Sequence, residues 1–133
     1  MGLIGWLSRA TGFRKDQPIP LHPDTATQTE SLAEALTQIL EVLDAHDEAH
    51  WRSWMNESLM QINAQDFRGV QHLLNAYGGM GSFNDLIIGQ RMVDGNMEWA
   101  PNAASDNDRL DALRSQAYGL AKAIQDVHHR QTG

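Results

Sequence analysis

The sequence predicts a mostly α-helical protein, a compact bundle of about four principal helices with an irregular segment or small β-hairpin before the last helix. Four stretches repeat apolar residues at the three- and four-residue steps that place them on one side of a helix. Glycines and an Asp-Gly pair interrupt this pattern between the third and the last stretch. Hydrophobic residues make up 41% of the 133 residues, which is enough for the core of one folded domain.

The N-terminal part differs from the rest in composition. Residues 3–11 predict a short helix, and residues 16–27 predict an extended arm that either packs on the body or stays loose. The arm contains three of the four prolines, Pro18, Pro20 and Pro23. We therefore expect residues 1–27 to form a helix and a Pro-rich arm, and residues 28–133 to form the helical domain. No apolar run approaches the roughly 20 residues that cross a membrane, and we expect no membrane contact from this segment.

The first principal helix is expected to begin near Thr27 or Ser31 and to run to about Ala45. Both starts fit a capping box, Thr27 with Glu30 and Ser31 with Glu34. The inward side carries Leu32, Leu36, Ile39, Leu40 and Leu43.

A second helix is expected through about Ala64. Its apolar stripe consists of Trp51, Trp54, Met55, Leu59 and Ile62. In one continuous rod this stripe would be rotated by roughly a quarter turn from the first stripe. A break near residues 46–48, with Asp47 as the N-cap, removes the mismatch and predicts a helical hairpin.

A third helix is expected after Asp66, ended by Gly78 and Gly79. Its inward residues are Phe67, Val70, Leu73, Leu74 and Tyr77. Leu86–Ile88 and Met97–Trp99 are short apolar runs on either side of Asp94-Gly95, a pair that is typical of a two-residue hairpin turn.

The last helix is expected to begin at Ser105 and to end near His129. Ser105 and Asp108 fit a capping box, in which the Asp108 side chain bonds back to Ser105. Its inward side carries Leu110, Leu113, Ala117, Leu120, Ala121, Ile124 and Val127.

Five carboxylates of the first helical region follow one another at steps of 4, 7, 3 and 4. They are Glu30, Glu34, Glu41, Asp44 and Glu48. At about 100° per residue they lie within roughly 40° of one line, opposite the leucines. They are therefore available to a positively charged group.

The net charge of -7 is concentrated in this region, because residues 28–66 hold eight acidic residues and one basic residue. Such a surface repels phosphate, so we expect no nucleic-acid binding. It attracts a basic protein. The simpler alternative is that the acidic surface binds no partner and only keeps the chain soluble. The absence of cysteine excludes disulfides and thiolate metal sites, and suits a reducing cytosol.

The segment from residue 80 to residue 99 can extend this surface. The predicted partner-binding residues are the five carboxylates above together with Met80, Phe83, Asp85, Asp94, Glu98 and Trp99. Glycines in residues 78–81 end a helix and permit left-handed backbone, and the segment lacks the Gly-Lys-Ser/Thr of a phosphate loop. Trp6 and Trp99 are the tryptophans we expect at contact surfaces.

His46-Asp47-Glu48-Ala49-His50 resembles the zinc-protease pattern H-E-x-x-H, with aspartate in place of glutamate. The expected helix break separates the two histidines, and no third ligand stands out, although His72, His128 and His129 are available. We predict no metal site, no cofactor and no catalytic residues. A turn between helices accounts for the two histidines.

Two runs of the sequence, Tyr77–Asp85 and Asn107–Arg114, together resemble a family of small bacterial helical proteins of unassigned function. The resemblance covers roughly residues 30–125 and implies a bacterial, cytoplasmic protein. It implies no activity.

The leading hypothesis is a non-enzymatic protein-binding protein, an inhibitor of the immunity or antitoxin type that occludes a basic toxin or effector. One alternative is a metal-dependent enzyme or accessory protein that uses His46 and His50. Another is a structural subunit that assembles with itself through Trp6, Met80 or Trp99. For the leading hypothesis we expect a monomer or weak dimer.

Overall fold

The computed structural model describes residues 17–132, which form four helices and one β-hairpin. The helices are α1 (Ala26–Ala45), α2 (Ala49–Asn63), α3 (Arg68–Leu74) and α4 (Ala103–Thr132). Strands β1 (Gln90–Val93) and β2 (Asn96–Trp99) pair antiparallel between α3 and α4. The predicted mostly helical bundle with a small hairpin before its last helix is therefore confirmed. The expected helix at residues 3–11, with Trp6, lies outside the described residues.

The four helices pack in a closed ring around one core, because α1 packs against both α2 and α4, and α3 closes the remaining side against α2 and α4. The apolar stripes predicted from the sequence meet in this core. Its fully buried side chains include Leu32, Leu36, Ile39, Leu43, Met55, Ile62, Leu73, Leu110 and Ile124. Burial of these stripes is the main source of stability for helices of this length.

The N-terminus of α1 differs from the prediction. A 3-10 turn, Pro23–Thr25, leads directly into the helix, and His22 caps the turn by accepting the Asp24 N–H at 3.0 Å. Thr27 and Ser31 therefore lie inside the helix, and both predicted capping boxes are wrong. Proline favours this earlier start, because its fixed φ suits the first position of a helix.

The break between α1 and α2 is confirmed at residues 46–48, but the role of Asp47 differs from the prediction. Asp47 has a φ of 54°, which is the left-handed conformation that reverses the chain in one step. The Glu48 N–H then donates to the Leu43 carbonyl at 3.1 Å. Glu48, not Asp47, is the residue that precedes α2, and its side chain makes no capping bond.

Two further helix ends differ from the prediction. Helix α3 ends at Leu74, before the glycines, because Ala76 and Tyr77 already make turn-type bonds to the Leu73 and Leu74 carbonyls. Helix α4 begins at Ala103, two residues earlier than expected. Asn102 has a φ of 67°, and its carbonyl accepts the hydroxyl of Ser105 at 3.1 Å. That hydroxyl therefore bonds backward to the preceding turn and does not cap the helix.

The described part of the Pro-rich arm packs on the body. Ile19 N–H donates to the Asp66 carboxylate at 3.0 Å, and the Phe67 N–H donates to the Ile19 carbonyl at 2.7 Å. Pro20 and Asp66 form an isolated β-bridge. The arm is thus held at the connection between α2 and α3.

Close approach of α2 and α3 depends on Gly69. A Cβ at this position would lie 2.7 Å from the Ser58 carbonyl oxygen and 2.8 Å from side-chain atoms of both Gln61 and Ile62. We expect Gly69→Ala to lower the free energy of unfolding by about 1–3 kcal/mol, because the two helices must move apart. Urea denaturation measures the change.

Gly119→Ala in α4 is the matched control. Nothing lies within 4 Å of a Cβ built on Gly119, so alanine is expected to stabilise the protein by about 0.5–1 kcal/mol through its higher helix propensity. Equal effects of the two substitutions would contradict the close packing at Gly69.

Candidate partner-binding surface

The outer side of α1 is acidic in the structure. Glu30, Glu34, Glu41 and Asp44 are all exposed, while Leu36 on the opposite side is fully buried. The fifth predicted member of the row, Glu48, follows the break and lies beyond the end of α1, so it is not part of the helical row. The break moves Glu48 because the left-handed residue before it redirects the chain.

The four carboxylates on α1 fall into two pairs. Glu41 accepts a bond from Arg109 of α4 at 3.1 Å, and Asp44 is paired with Arg52 of α2. Glu30 and Glu34 make no ion pair within the described residues. These two lie in the first half of the helix, and Glu30 is about 16 Å from Glu41 along its axis. The net negative charge of α1 is therefore most open at Glu30 and Glu34.

The loop between α3 and the hairpin is held by two side chains of α4. Arg114 Nη1 donates to the carbonyls of Phe83 and Leu86, each at 2.9 Å. Asn107 accepts the Ile88 N–H at 3.0 Å and donates to the Ile88 carbonyl at 2.9 Å. The seven-residue spacing of Asn107 and Arg114 puts both on one side of α4. Sequence reasoning gave neither residue a role, although both belong to the second run of the resemblance.

Tyr77 ties the start of the same loop to α4. Its hydroxyl donates to the Arg114 carbonyl at 2.7 Å. Burial raises the pKa of Tyr77, and the nearby Arg114 guanidinium offsets this only in part. The phenol therefore stays protonated at neutral pH, as the hydrogen bond requires. Together these contacts show that both runs, Tyr77–Asp85 and Asn107–Arg114, meet in space.

Phe83 lies beneath the surface, so its ring is not in the exposed position that the predicted partner contact requires. Its side chain is fully buried between the rings of Trp51, at 5.3 Å, and Tyr77, at 5.8 Å. A large aromatic ring gains more from burial in this gap than the loop gains by exposing it. Met80, by contrast, is 99% exposed. Asp85 is exposed at the edge of the loop and accepts the Gly81 N–H at 3.0 Å.

The β-hairpin projects from the bundle. Asp94 and Gly95 form its turn with φ values of 51° and 83°, the two positive angles that a type I′ turn requires. The predicted turn is confirmed, and the first strand begins at Gln90, after the apolar run Leu86–Ile88. That run approaches the body, where Ile88 is fully buried.

One face of the hairpin is apolar and open. Pairing of Met92 with Met97 and of Gln90 with Trp99 puts these four side chains on the same face. Met92, Met97 and Trp99 are 67%, 51% and 52% exposed. Glu98 and Arg91 are paired on the other face and are also exposed. The predicted contact residues Asp94, Glu98 and Trp99 thus all lie on this one hairpin.

The base of the hairpin meets the C-terminal end of α1. Gly89 has a φ of 89°, and a Cβ on it would lie 2.6 Å from Ala103 Cβ and 3.5 Å from the His46 ring. His46 Nε2 in turn lies 2.7 Å from Asp106 Oδ2. This contact between α1 and α4 brings Glu41 and Asp44 to the same end of the molecule as the hairpin.

The two histidines of the zinc-protease-like pattern serve different neighbours. His46 contacts Asp106, whereas His50 is exposed and packs its ring 4.7 Å from that of Trp51. His72 stacks on Trp54 and His128 stacks on Phe67, so both of these candidate third ligands pack against aromatic rings. Residues 17–132 contain no group of three or more His, Asp or Glu side chains placed to hold a metal ion.

The chain is therefore a small helical bundle with a projecting hairpin. A family model described as a domain of unknown function (DUF6966) matches residues 44–94, which is less than half of the chain. The match includes the Tyr77–Asp85 run but not Asn107–Arg114, and it is narrower than the predicted resemblance over residues 30–125. No curated protein and no solved structure matches. Among the described helices, none is long and apolar enough to cross a membrane.

Proposed function

We propose that this chain is a non-enzymatic protein-binding protein that covers a basic partner, in the manner of an immunity protein or antitoxin. The observation that carries the proposal is the open acidic surface at Glu30 and Glu34. Both carboxylates are exposed, and neither has a counter-charge within the described residues. Long-range attraction between such a surface and a basic protein speeds their encounter.

The hairpin supplies large apolar side chains, which the acidic side of α1 lacks. Binding energy at protein interfaces is concentrated in a few large side chains, with tryptophan among the most frequent. Trp99, Met97 and Met92 form an exposed apolar face on the hairpin, whose base meets the C-terminal end of α1. An interface of standard size needs about 800 Å² from each partner, and α1 together with the hairpin offers two separate elements to cover it. The bacterial, cytoplasmic setting that we also infer rests on the resemblance of Tyr77–Asp85 and Asn107–Arg114.

Charge reversal at Glu34 is the direct test. We expect Glu34→Lys to slow association with the basic partner captured from the native cell by about tenfold at low salt, because it reverses one of the two unpaired charges. The measurement is the association rate at two salt concentrations. Reversal of Glu41 or Asp44 is less informative, since it also breaks their ion pairs with Arg109 and Arg52.

Asp126→Lys is the matched control, because Asp126 is exposed on α4 and changes the net charge by the same amount. Equal slowing by the two substitutions would indicate attraction to the whole chain and would contradict docking on α1. Capture that does not depend on salt would contradict the proposal itself.

A further inference from the structure

The hydrogen bonds of the hairpin show which backbone groups point outward from its two strands. Ala100 N–H donates to the Gly89 carbonyl at 2.6 Å, so Gly89 and Ala100 form a hydrogen-bonded pair. Bonded and non-bonded pairs alternate along an antiparallel ladder. Trp99 and Met97 are therefore in non-bonded pairs, and their backbone N–H and C=O groups point away from β1. They form the outer edge of β2, and no other group of residues 17–132 bonds to them.

The same two residues also carry the open side chains. Met97 and Trp99 are both about half exposed, and no described helix packs extensively on the hairpin. A two-stranded hairpin is marginal on its own in water, and a third strand or a packed face stabilises it. The edge and the face of β2 are thus complementary to the same kind of occupant, an added strand.

Charge distinguishes the two edges and the possible occupants. Strand β2 carries Glu98, whereas β1 carries Arg91 at the paired position. A second copy of this chain brings the same net charge of -7 and is repelled, while a basic segment is attracted. On the open face, β2 also offers two apolar side chains, Met97 and Trp99, where β1 offers one, Met92. The combination favours a basic occupant on β2.

We propose that the edge of β2 binds an extended segment of the partner as a third strand, with apolar and basic residues alternating along it. Its apolar residues pack beside Met97 and Trp99, and its basic residues lie beside Glu98 on the other face. A groove of about 650 Å³ lies between Trp99 and the start of α4, and it is lined by Ala100, Ala103 and Ala104 together with Asn102, Ser105 and Asn107. This inference rests on the proposed function, since it names how the basic partner is held.

The test adds an eight-residue peptide of alternating lysine and valine to the full chain and records the backbone amide signals of the chain by NMR. The expected result is a shift of the Met97 and Trp99 amides, with slower hydrogen exchange at both, because they donate to the added strand. A peptide with the same residues in two blocks, four lysines then four valines, is expected to bind at least about tenfold more weakly, since it cannot match both faces.

Two variants measure the side-chain contributions. Glu98→Lys is expected to weaken binding of the alternating peptide by about tenfold, and Trp99→Thr by a similar factor, because threonine keeps the strand but removes the ring. Asp126→Lys, with the same charge change as Glu98→Lys, is expected to stay within about twofold. Equal weakening by Glu98→Lys and Asp126→Lys would overturn the inference.

Other occupants give different results. Shifts at Gln90 and Met92 without shifts at Met97 and Trp99 would place the peptide on β1 and overturn the inference. Slow exchange of the Met97 and Trp99 amides before peptide is added would mean that the edge is already covered. Light scattering then assigns the cover to a second copy in a dimer or, in a monomer, to residues 1–16; either result overturns the inference.

The outcome separates this inference from the function on which it depends. If capture of the basic partner is sensitive to Glu34→Lys but not to Glu98→Lys or Trp99→Thr, the protein-binding function stands and the β2 inference fails. If no basic partner is captured at all, the function fails even where the peptide binds.

Discussion

Phe83→Ala is expected to lower the free energy of unfolding by about 3–5 kcal/mol, a greater loss than that expected for Gly69→Ala. The ring is fully buried, with those of Trp51 and Tyr77 around it, and alanine leaves a cavity that the clamped loop cannot fill. Arg114 holds the carbonyl of the same residue, which limits how far the backbone can collapse. Urea denaturation followed by tryptophan fluorescence measures the loss.

Met80→Ala is the control in the same loop. Because Met80 is 99% exposed, its truncation is expected to change stability by less than about 0.5 kcal/mol. A stable Phe83→Ala variant that fails to bind the partner would instead support the contact role that the sequence predicted for Phe83.

Asp66→Asn is expected to lower the free energy of unfolding by about 2–4 kcal/mol, because a neutral amide replaces the buried carboxylate that is paired with the Arg68 guanidinium. The carboxylate is buried and accepts bonds from Arg68 Nη2 at 2.8 Å, Arg68 Nε at 3.0 Å and the Ile19 N–H at 3.0 Å. Loss of the charge weakens the arm and the α2–α3 connection together. The measurement is the midpoint and slope of urea unfolding.

The pH dependence of the same site gives an independent check. Burial by itself would raise the pKa of Asp66, but the bonds from Arg68 and from the Ile19 and Arg68 amides outweigh it and hold the pKa below its ordinary value of 3.8. The unfolded chain therefore takes up the proton first as the pH falls. The stabilisation from Asp66 is fully present above pH 3.8 and is lost as the pH falls through the lower, folded-state pKa.

We accordingly expect the stability difference between the wild-type chain and Asp66→Asn to be constant above about pH 5 and to shrink below pH 3.8. A difference that persists unchanged at pH 2 would mean that the amide fails for steric reasons and not for lack of charge.

The comparison of sequence and structure is clearest at the two reversals of the chain. The break after α1 was predictable because the apolar stripe changes direction there, and the hairpin turn because Asp-Gly tolerates two positive φ angles. Both signals lie within a few neighbouring residues. The helix starts were less predictable, because several Ser, Thr and Pro residues near residue 25 offer competing caps and local energies differ little among them.

The candidate surface was predictable in part. A helical period of 3.6 residues was sufficient to put Glu30, Glu34, Glu41 and Asp44 opposite the leucines. Their ion pairs were not predictable, because Arg109 lies 68 positions from Glu41 in the sequence. The difference matters for binding, since it leaves the charge most open at the opposite end of α1 from the hairpin.

Periodicity and turn chemistry, which act between near neighbours, were thus enough to specify a helical bundle, its chain reversal after residue 45 and an acidic outer side. Packing between distant segments decided that Phe83 is buried, that Asn107 and Arg114 hold the loop, and that the hairpin projects with its apolar face open. The physical reason is that burial depends on which element covers a side chain. That element is formed by residues far away in the sequence, so a local sequence pattern does not identify it.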